Sequence, residues 1–183
     1  MKRQLLRYLP ATIAAIALFI NANGQLSEPG PKLQPKGFIY DEGAANLPEG
    51  NRNYIPGINA RAIKDFSKNF KTAQDVSWYV LKDGFSVQCK LNGITTRNYY
   101  DLKGRWTGTV RTYEQNKLPA ELRKEVRSIY YDYSIYIVNE VTVGDTTAYL
   151  VGIQDEENIK TIRVIDGEMD VYEDFKKMKI QAP

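Results

Sequence analysis

The sequence of 183 residues contains no histidine, and this absence removes several classes of catalytic site at once. Ser-His-Asp triads and histidine-ligated metal centres both depend on imidazole groups. No Gly-rich phosphate-binding loop occurs either. The densest acidic run, Asp155-Glu156-Glu157, falls in a predicted turn, which favours a solvated loop over a carboxylate site. We therefore predict that the protein is not an enzyme and has no catalytic residues, no metal site and no cofactor.

Cysteine is almost absent as well. Cys89 is the only one, so no internal disulfide can form. It alternates with Val87 and Leu91 along a predicted strand, which indicates that its side chain points into the core. A reactive thiol would need a histidine or a cation beside it.

The apolar run near the N-terminus is too short to favour a membrane span. Ala11–Ile20 follows the basic residues of the first seven positions and precedes the small residues Ala22-Asn23-Gly24. This pattern is typical of a secretory signal peptide. We predict that residues 1–24 are cleaved before Gln25, with an uncleaved anchor as the alternative. We expect a periplasmic or secreted protein without a stable membrane span.

Positive charge is also scarce once that segment is removed. The whole chain carries a formal net charge of +3, and residues 1–24 hold three basic and no acidic residues, so the mature chain is neutral. Nucleic-acid binding depends strongly on neutralising phosphates with Lys and Arg. We therefore expect no nucleic-acid partner.

Residues 25–57 are rich in Pro and Gly, which predicts an extended and partly disordered leader. The apolar group Phe38-Ile39-Tyr40 stands out within it. We interpret this group as a candidate for docking, either as a short strand or onto a partner.

Two stretches have helical periodicity. The first is Ile58–Phe70, which Asn59 can cap, and its apolar residues recur on one face. The second is Leu118–Tyr130, where Pro119 suits the first turn. Its apolar stripe consists of Leu122, Val126 and Ile129.

The rest of the chain from residue 76 has the alternating pattern of strands separated by tight turns. Asn-Gly and Asp-Gly pairs between such strands are strong hairpin signals. The predicted strands are Val76–Leu81, Phe85–Leu91, Ile94–Tyr100, Arg105–Tyr113, Ser134–Val143, Thr146–Gln154, Ile159–Ile165 and Glu168–Phe175.

This order predicts an α+β fold made of a tandem repeat, each part being a helix followed by a four-stranded antiparallel meander. We assign the repeats to residues 58–114 and 118–175 of one domain, and residues 176–183 to a frayed tail. A helix that covers one face of a small sheet leaves the other face open. The predicted architecture therefore has two layers and one open sheet face.

The chain from about Ile58 to Phe175 resembles the PepSY-like family of exported bacterial proteins, which is related in shape to the beta-lactamase-inhibitor-protein fold. The matching residues are Phe66, Phe70, Val76-Ser77-Trp78, Phe85, Asn92-Gly93, Tyr100-Asp101, Gly104, Leu118-Pro119 and Asp166-Gly167. The resemblance implies tandem helix-plus-four-strand units, residence in the periplasm or outside the cell, and no known catalytic residues. These motifs are turns, caps and core aromatics, so they are specific for the fold and not for a function.

Tyrosine is the notable excess, with 13 copies. Binding surfaces favour tyrosine because it joins an apolar ring to a polar tip with few torsions to freeze, although strands also favour it for packing. If Val87 and Cys89 face the helix, Gln88 and Lys90 of the same strand face outward. We also expect Trp78 and Trp106 to lie in the core. The predicted partner-binding residues on the open face are Tyr79, Gln88, Lys90, Arg97, Tyr99, Arg111, Tyr113 and Arg163.

These observations favour an exported binding module, inhibitor-like or chaperone-like, that engages an envelope or extracellular protein through the open sheet face. Two alternatives stay open. One is a small-ligand or sensor domain, and the other is a structural envelope component that associates through exposed sheet edges.

Overall fold

The computed structural model describes Ile55 and residues 57–178 of the chain. The predicted signal peptide and all of the predicted leader up to residue 54 lie outside the described residues. Two compact units divide the chain, and the boundary between Gly108 and Thr109 falls within the fourth strand. We refer to the described residues up to Gly108 as the first unit and to those from Thr109 as the second unit.

The chain alternates one helix with four strands, twice. Between the fourth strand and the second helix lies one short 3₁₀ helix, Gln115–Lys117, that the sequence did not predict. The elements are α1 Ala60–Asn69, β1 Gln74–Leu81, β2 Gly84–Leu91, β3 Ile94–Asp101, β4 Trp106–Tyr113, α2 Ala120–Ile129, β5 Ser134–Val143, β6 Thr146–Gln154, β7 Asn158–Ile165 and β8 Glu168–Lys176.

The eight strands form one open sheet in the order β1 to β8, and the described pairings are antiparallel. The α+β class and the antiparallel sheet are therefore confirmed. The order of elements fits two helix-plus-four-strand parts, but the tandem repeat of a helix and a four-stranded meander stays a prediction.

Local turn chemistry explains the hairpins. Asn92 and Gly93 both have positive φ, 52° and 77°, which is the backbone of the two-residue turn that joins strands of natural twist. Asp166 and Gly167 repeat this conformation with φ values of 51° and 78°. Short polar side chains and glycine tolerate this region of φ, so these turns were predictable from sequence.

Helix α1 begins where the sequence predicts a cap. The Asn59 side-chain oxygen accepts a hydrogen bond from the Arg61 amide at 2.9 Å. Ala62, Ile63 and Phe66 are buried in one cluster with alternate residues of β2, which are Phe85, Val87 and Cys89. The predicted apolar face of the first helix and the core position of Cys89 are thus confirmed.

Aromatic rings extend this core at the edge of α1. Phe66 stacks on Phe70 with ring centroids 5.1 Å apart and meets Trp78 edge-on at 5.6 Å. The Tyr100 hydroxyl donates a hydrogen bond to the Asp65 carboxylate at 3.1 Å, which ties β3 to the helix. Burial and this carboxylate raise the pKa of Tyr100, so the phenol stays neutral.

Helix α2 is placed less deeply than its periodicity predicts. Of the predicted stripe, Val126 is buried and Leu122 is half-buried, whereas Ile129 is 56% exposed. Pro119 precedes the first helical residue and provides no side-chain cap. The prediction that all three apolar residues face a core is wrong for Ile129, because the helix ends there.

Trp106 lies partly at the surface, so its predicted core position is wrong. It is the first residue of β4, directly after a turn, and is 36% exposed. Trp78 is half-buried. Position at the start of a strand, next to a turn, explains why a large ring at Trp106 reaches the surface.

Both edge strands of the described sheet are irregular. The β1 register shifts between Gln74 and Ser77, where Asp75 has a φ of 52°. The β8 register shifts where Tyr172 is inserted between partners of Thr161 and Ile162. Bulges of this kind are a common protection against edge-to-edge association.

The end of β8 is more ordered than the predicted frayed tail. Lys176 belongs to the strand, and the Lys177 amide donates to the Glu157 carbonyl at 2.7 Å. Residues 179–183 lie outside the described part. Among the helices of residues 57–178, none is long and apolar enough to cross a membrane.

Candidate binding surface

One face of the first unit carries the predicted binding residues of β1 to β3. The register pairs Tyr79 with Ser86, Ser86 with Tyr99, and Gln88 with both Ser77 and Arg97. Directly paired residues project to the same side of a sheet. This side is opposite the one on which Val87 and Cys89 pack against α1. We call it the tyrosine–arginine face, and it consists of Ser77, Tyr79, Ser86, Gln88, Lys90, Thr95, Arg97 and Tyr99.

Arg97 lies at the centre of the tyrosine–arginine face. Its guanidinium donates a hydrogen bond to Gln88 Oε1 and lies over the Tyr79 ring, 5.5 Å from the centroid. Amide and ring contacts of this kind hold the planar guanidinium in a fixed orientation. Burial raises the pKa of Tyr99, and the nearby Arg97 charge opposes that rise only in part.

The expectation that the residues of this face are exposed is wrong for its central members. Tyr79, Arg97 and Tyr99 are all buried, at 7%, 2% and 4% exposure. Gln88 is half-buried, and Ser77 and Lys90 are exposed. Alternation along a strand fixes the face on which a side chain lies but not how far its neighbours cover it.

Lys90 is the charge that the tyrosine–arginine face presents to solvent. Its ammonium lies 3.0 Å from the Asp75 carboxylate, and both side chains are more than half exposed. An ion pair this exposed contributes little to stability. Replacing Lys90 should therefore have little effect on the stability of the fold.

The second unit holds a separate polar cluster around Glu140. Glu140 accepts hydrogen bonds from Arg111 Nη1 at 3.0 Å and from the Tyr113 hydroxyl at 2.7 Å. Tyr113 is buried at 8% exposure, whereas Arg111 is half-buried. Burial and the Glu140 charge raise the pKa of Tyr113.

Glu140 is the functional candidate that sequence reasoning missed. It is the only carboxylate between Ser134 and Val143, in a strand that is otherwise mostly apolar. An isolated charge in such a strand is a signal for a buried ionic partner. The register pairs it with Arg111 across β4 and with Tyr149 across β6.

Arg163 does not join that cluster. It pairs with Leu150, while Tyr149, the next residue along β6, lies opposite Glu140, so Arg163 projects to the other face of the second unit. There it makes a bidentate pair with Asp170 at 2.9 and 2.7 Å and lies over the Tyr172 ring. The expectation that Arg163 shares a face with Arg111 and Tyr113 is wrong, because alternation within one strand does not fix its register with the others.

Two side chains with potential chemistry, Cys89 and Asp155, are respectively buried and already hydrogen-bonded. Burial raises the pKa of the Cys89 thiol, which disfavours the nucleophilic thiolate. In the described part of the chain, no three His, Cys, Asp or Glu side chains come together as a metal site. The Asp155 carboxylate is occupied by the Asn158 side chain, by the amides of Glu157 and Asn158 and by the Tyr133 hydroxyl.

Comparisons with known proteins identify the fold. A DUF2874 family protein from Bacteroides uniformis superposes with a TM-score of 0.55 at 14% identity, over 67% of this chain and 90% of the other. A BLIP-like protein from Bacteroides fragilis has the same TM-score at 13% identity, over 78% of this chain and 99% of the other. A third structure, described as a putative periplasmic protein from Bacteroides eggerthii, matches at 0.55 and 16% identity over 65% and 88%.

At these identities the likeness establishes the fold alone. No protein-family model matches the sequence, and no curated protein matches it. Membership of the PepSY-like family therefore stays a prediction. The chain has a BLIP-like fold, similar to that of DUF2874 family proteins.

Proposed function

We propose that this chain is an exported, non-enzymatic binding module that engages another envelope protein through the tyrosine–arginine face. The observation that carries the proposal is the contrast between the two sides of the sheet formed by β1 to β3. One side presents Phe85, Val87 and Cys89 to α1. The other side combines tyrosine and arginine from β1 and β3 with glutamine and lysine from β2. Protein-binding surfaces are enriched in tyrosine and arginine.

The contacts of Arg97 support this role because they pre-order the surface. Gln88 and the Tyr79 ring already hold the guanidinium. A surface whose side chains are ordered before binding loses less conformational entropy when a partner arrives. We assign Tyr79, Arg97 and Tyr99 to the supporting frame, and Gln88 and Lys90 to the contacting layer.

The second unit is a separate candidate, in which we assign Arg111 to a contacting role and Tyr113 to the frame that holds Glu140. Arg111 is half-buried and keeps part of its guanidinium accessible beside the Glu140 carboxylate. Arg163 projects to the other face of that unit, so we leave it out of this separate candidate.

Fold similarity adds a weaker argument. The B. fragilis neighbour is BLIP-like, and the B. eggerthii neighbour is described as a putative periplasmic protein. Both descriptions agree with the expectation of an exported binding protein in the periplasm or outside the cell. Shared fold is an associational argument and does not identify a partner.

The edge irregularities argue against the structural alternative. Register shifts in edge strands disfavour association through sheet edges, and both β1 and β8 carry such shifts. Face-mediated binding needs no such edge. We therefore favour the sheet face over self-association of edges.

Charge reversal at Lys90 tests the proposal. The mature protein and the Lys90→Glu variant would each be immobilised and exposed to an envelope extract of the source bacterium. Lys82→Glu is the matched control, because Lys82 is an exposed lysine in the turn between β1 and β2. We expect a protein that the wild type and the control retain and that Lys90→Glu loses at least tenfold.

Equal retention by all three proteins would overturn the assignment of the face. Alanine substitution of Tyr79, Arg97 and Tyr113 together is not a suitable test. All three are buried, so their loss would report on folding rather than on binding.

A further inference from the structure

The turn between β3 and β4 is docked on the first turn of α1. The Asn59 side-chain amide donates to the Leu102 carbonyl at 3.1 Å. A Cβ added at Gly104 would lie 2.7 Å from Asn59 Oδ1, 2.8 Å from the Ala62 nitrogen and 3.0 Å from Arg61 Cβ. With a φ of 70°, Gly104 brings the two backbones into this contact where any side chain would block it.

Asp101 makes this turn rigid. Its carboxylate accepts from the Lys103 and Arg105 amides at 2.9 Å each, and from Arg105 Nε at 2.7 Å. These hydrogen bonds lower the pKa of Asp101, so the carboxylate stays ionised. The turn therefore holds its side chains in fixed positions beside α1.

The docked turn creates a surface that is both basic and apolar. Leu102 is 60% exposed, and Trp106 follows the turn at 36% exposure. Arg61, Lys103 and Arg105 are exposed around them. Of these three cations, Arg105 is already paired with Asp101. We call this surface the basic turn patch: Arg61, Leu102, Lys103, Arg105 and Trp106.

The chain itself contains a segment of matching chemistry. Residues 38–42 read Phe38-Ile39-Tyr40-Asp41-Glu42, three large apolar residues followed by two carboxylates. Arg61 and Lys103 offer two cations to those two carboxylates, while Leu102 and Trp106 offer an apolar contact. Residues 38–42 therefore complement the basic turn patch in charge and in apolar surface.

The connection to α1 keeps this segment close to the patch. Twelve residues separate Glu42 from Ile55, which packs against the core beneath α1 and accepts a hydrogen bond from the Ile58 amide at 3.0 Å. The random-coil relation gives an end-to-end distance of roughly 20 Å for a linker of twelve residues. Tethering at such a distance gives an effective concentration of order millimolar, so even a weak contact forms.

We propose that residues 38–42 dock on the basic turn patch of their own chain. In this contact, Asp41 and Glu42 pair with Arg61 and Lys103, and Phe38, Ile39 and Tyr40 cover Leu102. This surface is distinct from the tyrosine–arginine face, since it is built from the β3–β4 turn and the start of α1.

Disulfide trapping in the full exported chain tests the proposal. One variant would carry Ile39→Cys and Leu102→Cys, and the matched control Ile39→Cys and Lys82→Cys. Cys89 is 1% exposed and does not compete with the introduced thiols. We expect an intramolecular disulfide to form in the first variant roughly tenfold faster than in the control under mild oxidation.

Charge reversal then tests the ionic part. Adding Arg61→Glu and Lys103→Glu should slow trapping by roughly fivefold, while Lys71→Glu and Lys82→Glu in the same background should not. High salt should reduce the difference, because exposed ion pairs are screened.

Three outcomes would overturn the proposal. The first is an equal rate of disulfide formation at Leu102 and Lys82. The second is a rate at low salt that the charge reversal does not change. The third is a disulfide that forms only between two chains. The last outcome would assign the patch to a second copy. Because Lys90 is unchanged throughout, each of these outcomes is independent of the proposed function.

Discussion

The two helices of this chain have the same length and similar apolar periodicity, yet they are held in different ways. Helix α1 buries Ala62, Ile63 and Phe66 and is capped by Asn59. Helix α2 buries only Val126 and has no side-chain cap. Periodicity indicates which face of a helix is apolar, but the depth of burial depends on tertiary packing.

Polar contacts replace part of the missing core around the end of α2. The Tyr133 hydroxyl bonds to Asp155, and the Lys177 ammonium donates to the Asp155 carbonyl at 2.7 Å. Lys160 lies over the Tyr133 ring at 5.9 Å and pairs with Asp174. The first helix is therefore fixed mainly by apolar burial, and the junction that follows the second is fixed by hydrogen bonds and charges.

The largest expected effect comes from Phe66. Phe66→Ala removes a buried ring that contacts Phe70 and Trp78. We expect the free energy of unfolding to fall by about 3–5 kcal/mol. For Val126→Ala in α2 we expect a loss of about 2 kcal/mol, because a smaller side chain is removed. Urea denaturation of both variants measures the difference, and equal losses would contradict the comparison.

A pair of chemically identical substitutions sharpens the comparison. Ile63→Ala in α1 should cost about 2–5 kcal/mol, because Ile63 is 4% exposed. Ile129→Ala at the end of α2 should change the unfolding free energy by less than about 0.5 kcal/mol. Thermal unfolding followed by circular dichroism gives both values. A loss above about 2 kcal/mol for Ile129→Ala would mean that α2 is buried as deeply as α1.

The N-terminal cap gives the next smaller effect. Asn59→Ala removes the bond to the Arg61 amide and the bond to the Leu102 carbonyl, with an expected loss of about 1–2 kcal/mol. Asn59→Asp keeps the acceptor for the Arg61 amide and should recover part of that loss. If Asn59→Asp is no more stable than Asn59→Ala, the cap contributes nothing and the bond to the turn accounts for the whole effect.

The smallest effect concerns pH in the second unit. Hydrogen bonds from Asn158 lower the pKa of Asp155 to about 2. A carboxylate whose pKa is lower in the folded state than in the unfolded state stabilises the fold above its ordinary pKa, and this contribution is lost as pH falls. We expect wild-type melting temperature to decline between about pH 4 and pH 2 more steeply than that of Asp155→Asn. Parallel slopes would show that Asp155 does not hold the junction.

Much of the fold was predictable because its signals are local. Hairpin turns such as Asn92-Gly93 and the cap at Asn59 depend on a few adjacent residues, and the bounds of β5 and β6 match the predicted strands. Burial depth was not predictable in this way. Tyr79, Arg97 and Tyr113 are expected at the surface from sequence, whereas the structure buries all three.

The candidate site was predictable in part. Alternation within β2 placed Gln88 and Lys90 on one face, and the register brings Tyr79, Arg97 and Tyr99 onto the same face, as expected. The opposite orientation of Arg163 was beyond such reasoning, because it depends on the register between β6 and β7. The role of Glu140 as partner of Arg111 also depends on which residues two strands bring together.

Site-specific photo-crosslinking tests the central claim most directly. A benzophenone amino acid would replace Ser77, an exposed residue of the tyrosine–arginine face, and in a control Ser67, an exposed residue of α1. After illumination of intact cells, the account predicts a crosslink from position 77 to one envelope protein and none from position 67. A crosslink from position 67 alone would contradict the account and assign binding to the helical side of the first unit.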